Sequence, residues 1–288
     1  MSDQKPLEIL IVEDETGIIE EDSGSIALGL SGIRPAIDWS FKDKSEWYSD
    51  DELDKYIEQA GLHKEVTYEG KPITIDFSHA PTPVHISVVA TYEDALDIIS
   101  KKTFDGAILD LKFPVVGRDL AQKLLDQSVA IYKDPHKTSL IKEFCEYSMD
   151  EPYYYYDDSP SRKKSLRRAV GERLADHISS SESILRDMAC RDSDGLTVGP
   201  FLAHEIEKRK IPFVFWTTEI FHGLDGIMMS LAEGYLQPRG SAFSLICGAY
   251  FGEARVVDKK MVIGHKSCFG QYTGIETGYL LREKMGLK

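Results

Sequence analysis

Two short apolar runs in this sequence end in carboxylates, and those acids are its residues best suited to chemistry. Leu7-Glu8-Ile9-Leu10-Ile11-Val12 leads straight into Glu13-Asp14-Glu15, and Ala107-Ile108-Leu109 leads into Asp110. One acid at a strand end is usually a solvated cap. Two acidic ends are different, because neighbouring strands would bring the carboxylates within a few ångströms, where they repel unless a proton or cation neutralises them. Mg²⁺ suits such a cluster, since it takes one or two carboxylates together with water and phosphate oxygens.

The elements that must position these acids follow from the runs themselves. Both are too short for a buried helix and are bounded by turn residues, among them Gly106 and Pro114. They read as strands buried on both faces, the pattern of a parallel sheet. Open parallel sheets hold their sites at the carboxyl ends of the strands, where Glu13, Asp14 and Asp110 fall.

On the residues ILIVEDE at 9–15, ILDLKFP at 108–114 and IPFVFWTTE at 211–219, the chain resembles the receiver domain of two-component response regulators. The resemblance implies that Glu13 and Asp14 bind Mg²⁺ with Asp110 and the carbonyl of Lys112, that Asp110 accepts a phosphoryl group, and that Thr217 binds its oxygens. Pro114, four residues after Asp110, fits the same pattern. Receivers also carry a lysine at the end of their fifth strand, and two positions compete for it. Lys266, after Met261-Val262-Ile263-Gly264-His265, is preferred, because a lysine is present and a closing helix from Thr273 to Met285 follows. The alternative, Gly234-Tyr235-Leu236-Gln237-Pro238, has the usual spacing from Thr217 but places Gln237 where the lysine belongs.

Composition narrows the function classes. A chain of 288 residues with 42% apolar content has enough material for a packed core, and its net charge of −14 argues against general affinity for nucleic acid. Cys145, Cys190, Cys247 and Cys268 are far apart and form no C-x-x-C pair, so reduced thiols in a cytoplasmic protein are expected. No signal-peptide core and no membrane-spanning run is evident. The eight histidines show no metal spacing. Phosphate-binding loops and nucleophile elbows are missing too, which disfavours nucleotide and serine hydrolases.

Along the chain, Thr16–Leu30 should hold the first helix, interrupted near Asp22-Ser23-Gly24-Ser25. A hairpin is expected with Val66–Tyr68 and Ile73–Ile75 as its arms. The strand Ile86–Ala90 precedes a helix opened by Thr91-Tyr92-Glu93-Asp94, a capping box, with Ala95, Ile98 and Ile99 turned to the sheet. Further helices are predicted over Arg118–Gln127 and Thr197–Lys210, and a strand over Phe213–Trp216. Residues 35–83 and 128–193 fit no receiver element and read as insertions lying outside the sheet. The second holds Tyr153–Tyr156 and the basic run Arg162-Lys163-Lys164, which reads as a solvated helix face.

The expectation is therefore one flavodoxin-like α/β domain over 1–288, with a parallel five-stranded sheet in the order 2-1-3-4-5 and helices on both faces. The implied function is a phosphoacceptor in a phosphorelay, using Mg²⁺. A histidine kinase or phosphotransfer protein would be the donor, and output would pass through protein contact rather than nucleic acid or membrane. Two rivals stand beside it. One is a receiver-like interaction module that is never phosphorylated. The other is a phosphohydrolase with an aspartate nucleophile, as in the haloacid dehalogenase family. That chemistry needs a second acid where Lys112 stands.

Overall fold

In the computed structural model the described residues are 5–14, 16–33, 57–68, 70–132, 198–217, 235–236, 239, 245–247, 255–257, 261–263 and 270–287. Strand β1 (Leu7–Val12) and helix α1 (Thr16–Leu30) are followed by β2 (Glu65–Thr67), β3 (Ile73–Phe77), β4 (Val84–Val89), α2 (Tyr92–Lys101) and β5 (Gly106–Leu109). Then come α3 (Arg118–Tyr132), α4 (Gly199–Lys208), β6 (Phe213–Thr217), β7 (Leu245–Cys247), β8 (Arg255–Val257), β9 (Met261–Ile263) and α5 (Gly270–Lys284).

The strands form one mixed sheet in the order β2-β3-β4-β1-β5-β6-β7-β9-β8. From β4 through β1, β5, β6 and β7 to β9 every pairing is parallel, while β2/β3, β3/β4 and β8/β9 are antiparallel. The α/β class is as expected, but among the described residues the sheet has nine strands rather than five, and its order is correspondingly extended. Two things enlarge it. The hairpin β2/β3, from the segment expected to lie outside the sheet, pairs with β4 and lengthens the edge. At the other side β7 enters between β6 and β9, so Met261–Ile263 is not the neighbour of β6.

Alternation along the central strands sends side chains to opposite faces. Leu10 and Val12 of β1 join Ala95, Ile98, Ile99, Phe201, Leu202 and Ile206 on the side covered by α2, α3 and α4. Ile9 and Ile11 face the other way, against Ile19, Ile26, Leu30, Ile275 and Leu281 of α1 and α5. Each large side chain so buried contributes about 1.5–3 kcal/mol. The two layers pin the parallel strands, and hence the strand ends, from both sides.

Helix α1 runs unbroken through Asp22–Ser25, where an interruption was expected. The hydroxyls that favour turns are absorbed inside the helix: Ser23 donates to the Glu20 carbonyl at 3.0 Å and Ser25 to the Asp22 carbonyl at 2.7 Å. Small residues also serve packing here. A Cβ on Gly29 would overlap the carbonyl oxygen of Ile275, and one on Gly278 that of Ile26, so α1 and α5 approach to backbone contact. The end of α1 is closed by Ile33 N–H to Leu28 O at 3.0 Å and Gly32 N–H to Gly29 O at 2.9 Å, with Gly32 at φ 74°. Arg282 of α5 donates to the Leu30 carbonyl at 2.7 Å and joins the two helices there.

Of the second expected insertion, residues 128–132 complete α3, and 133–193, with the tyrosine run and the basic run, lie outside the described residues. No helix among the described residues is long and apolar enough to cross a membrane.

Candidate functional site

The acids stand where the parallel ladder runs out. Glu13, one residue past β1, donates its N–H to the Val89 carbonyl of β4 at 3.0 Å. Asp110, one residue past β5, donates its N–H to the Val12 carbonyl of β1 at 3.0 Å. Sheet hydrogen bonds therefore hold both backbones directly, and no loop has to order before the side chains meet. Glu13, Asp14 and Asp110 each offer a carboxylate oxygen, and these oxygens lie within 4.8 Å of one another. Glu13 and Asp110 are buried, at 2% and 6% exposure, and Asp14 is half-buried.

That geometry carries an electrostatic cost. At an effective dielectric of about 20, two unit charges less than 5 Å apart repel by roughly 3 kcal/mol or more. A hard divalent cation would remove the cost, and three carboxylate oxygens converging at the sheet edge are a donor set of the right chemistry for Mg²⁺. Asp110 Oδ1 is also engaged by the N–H of Leu111 at 2.7 Å, which fixes the orientation of the carboxylate.

The backbone beyond Asp110 is braced by two helices. Gly199, the first residue of α4, donates its N–H to the Leu111 carbonyl at 3.0 Å. A Cβ at Gly199 would overlap the Asp110 carbonyl oxygen, so glycine is required for that close approach. From α2, Tyr92 donates its N–H to the Pro114 carbonyl at 3.0 Å, and its ring stacks on Phe113 with centroids 6.4 Å apart. Burial, with Glu205, Tyr235 and Glu93 adding to it, pushes the Tyr92 phenol well above its ordinary value, so it stays a neutral hydroxyl. Lys112 is half-buried between the buried Leu111 and Phe113.

Of the residues singled out from sequence, Glu13, Asp14 and Asp110 are brought together. Thr217 ends β6, which pairs in parallel with β5 through Phe215 and Leu109, so the threonine falls on the carboxyl side of the sheet. Lys266 and Gln237 lie outside the described residues. The strand that Lys266 follows is separated from β6 by β7. Sequence reading missed a residue that shapes the site, Gly199. The pair Gly199-Pro200 at a helix start carried a hint, since proline in a first turn marks a helix N-terminus; what the glycine must pack against is not written locally. Comparison of the chain with family models, with curated proteins and with solved structures gave no match.

Proposed function

We propose that the chain is a receiver-type phosphoacceptor, cytoplasmic in location and acting in a phosphorelay, with Asp110 as the acceptor. The observation that carries the reading is the convergence of Glu13, Asp14 and Asp110 at the ends of adjacent parallel strands. The contiguous parallel run β4-β1-β5-β6-β7 supports it, because its chain order follows the 2-1-3-4-5 of the flavodoxin-like fold.

Glu13, Asp14, Asp110 and the Lys112 carbonyl would hold Mg²⁺, which when bound neutralises charge on the phosphoryl oxygens. Asp110 acts as the nucleophile. One of its carboxylate oxygens attacks phosphorus in line with the bond to the donor. For a phosphohistidine donor the P–N bond breaks, its electron pair stays on the imidazole nitrogen, and Asp110 becomes an acyl phosphate. The Asp110 N–H and side-chain hydrogen bonds keep the attacking oxygen oriented, so little reorganisation is required on the way to the transition state. Thr217, at the end of β6, would donate its hydroxyl to a phosphoryl oxygen and so couple occupancy of the site to the surface beyond that strand. Output by protein contact fits a chain of net charge −14 better than contact with nucleic acid.

A second reading has one observation in its favour. Lys266 follows β9, which lies one strand beyond the neighbour of β6. If transfer to Asp110 requires a lysine at that place, the protein would be a receiver-like interaction module that holds a cation without being phosphorylated. Incubation with a small phosphodonor and Mg²⁺, followed by intact mass, separates the two. A gain of one phosphoryl group in the wild type that disappears in Asp110→Asn is the expected result. An unmodified wild type that still binds Mg²⁺ would replace the phosphoacceptor reading with the module.

A further inference from the structure

We propose that Glu93 is a positioning residue of the acidic site, clamping the loop after β5 and thereby setting how well that loop serves a divalent ion. The role of the loop rests on the phosphoacceptor reading, whereas the clamp stands on geometry alone. Glu93 is the second residue of α2, yet its carboxylate reaches the segment that follows Asp110. Oε1 accepts the N–H of Gly117 at 2.8 Å and Oε2 accepts the N–H of Val116 at 3.1 Å.

Val115 packs against the core, but the next residue, Val116, does not hold its place that way. Its side chain is 72% exposed, so apolar burial does not hold it. Its neighbour Gly117 precedes α3, and the Gly117 carbonyl accepts the N–H of Ala121 at 2.8 Å, which makes Gly117 the cap position of that helix. Glycine brings no side-chain acceptor to an end that ordinarily has one. Glu93, from a different helix, accepts the N–H of the cap residue itself, the donor that a capping-box glutamate would take from within α3, and its negative charge suits the positive end of the α3 dipole. Both bonds are charge-assisted and both oxygens are used, which a shorter or neutral residue could not reproduce.

The loop is therefore held at two ends. Near Asp110, Leu111 is fixed by the Asp110 carboxylate at 2.7 Å and by Gly199 at 3.0 Å. Towards α3, Pro114 is fixed by the Tyr92 N–H at 3.0 Å, and Val116 and Gly117 by Glu93 at 3.1 and 2.8 Å. Lys112, whose carbonyl the phosphoacceptor reading assigns to the ion, lies between those anchors. Residues that orient a ligand from behind typically change metal affinity by about 10–100-fold when removed.

The test uses the full chain with Glu93→Ala, Glu93→Gln and Thr91→Ala. Thr91→Ala serves as a control for simple weakening of α2, because Thr91 caps that helix by accepting the Asp94 N–H at 3.1 Å and takes no part in the two bonds from the loop to Glu93. Amide hydrogen exchange is measured at Val116 and Gly117 in metal-free protein, and Mg²⁺ affinity by calorimetric titration. In Glu93→Ala, exchange at both amides should rise and Mg²⁺ affinity should fall about tenfold. Glu93→Gln should fall between that variant and the wild type, since one of its two atoms still accepts. Thr91→Ala should melt earlier but bind Mg²⁺ as the wild type does. Unchanged exchange in Glu93→Ala would overturn the clamp. Faster exchange with unchanged affinity, or an equal affinity loss in Thr91→Ala, would overturn the positioning role. A wild type that binds no Mg²⁺ would sink the phosphoacceptor reading and the positioning role with it, while the exchange data would still decide the clamp.

Discussion

Asp110 is tied to Val12 by a sheet hydrogen bond of 3.0 Å, one step beyond the Val12–Leu109 pair of the parallel register. That single bond places the acid of one strand beside the acids that follow the other. Glu13 and Asp110 are therefore placed by the sheet rather than by its loops, and their carboxylates should respond to substitution separately from the fold.

Metal binding should depend on Asp14 more than on any change in stability. Asp14 is half-buried at the rim of the cluster, so Asp14→Ala leaves no large cavity. The expected result is loss of Mg²⁺ binding in calorimetric titration, with the melting temperature of the metal-free protein equal to or above that of the wild type because one like charge is gone. An unaltered titration would remove Asp14 from the ligand set.

Lys266 should contribute little to phosphoryl transfer. Strands are spaced about 4.8 Å apart, so β9, three places from β5, lies roughly 14 Å from it, farther than a lysine stem spans. Lys266→Ala should retain labelling of Asp110 by a small phosphodonor, at a rate within about twofold of the wild type. A collapse of labelling would show that the chain after β9 turns back over the acids and that Lys266 completes the site.

Two glycine substitutions should move stability in opposite directions. Gly278→Ala drives a methyl group into the Ile26 carbonyl and should cost about 2–3 kcal/mol. Gly17, in the first turns of α1, has open space where a Cβ would stand, and Gly17→Ala should add a few tenths to about 1 kcal/mol. Denaturant unfolding reads both. Equal effects would mean that α1 and α5 part easily.

Acid should weaken the fold through His204. Burial, with Lys208 and Arg239 close by, holds its imidazole below the ordinary value of 6.5, and Glu205 and Glu207 oppose the shift. The unfolded chain therefore takes up a proton before the folded one does. Stability from this group is fully present above 6.5 and declines as pH falls from there towards the lowered folded value. His204→Gln should flatten the melting temperature across that window, and an unchanged profile would assign the acid sensitivity elsewhere.

The sequence was most readable where local pattern and burial agree. The strand Leu7–Val12, the Thr91 cap and the inward Ala95, Ile98 and Ile99 all appear in the structure. Continuity of α1 was hidden, since Asp22-Ser23-Gly24-Ser25 has the composition of a break; besides the internal serine bonds, what packs against it is Gly274 of α5, some 250 residues away. Strand β7 was hidden for another reason, being only three residues of paired strand, Leu245–Cys247, too short for a periodic signal. At the site, the acids were legible because their type and strand-end position are local facts. Glu93 was not, because its partners are 23 and 24 residues further on.

The hairpins at the two sides of the sheet bear on how copies of this protein behave towards one another. Each outermost strand, β2 and β8, is three residues long and runs antiparallel to its neighbour. The long parallel strands, whose open backbone edges would template another chain, are shut inside the sheet. Glu65 stands exposed on β2 with Lys64 just ahead of it, adding charge to an already short edge. Edge-to-edge growth between molecules is disfavoured by such ends. A concentrated solution should therefore stay free of β-aggregates while the sheet is intact, and strand-templated association should begin only where the β2/β3 hairpin peels away from β4.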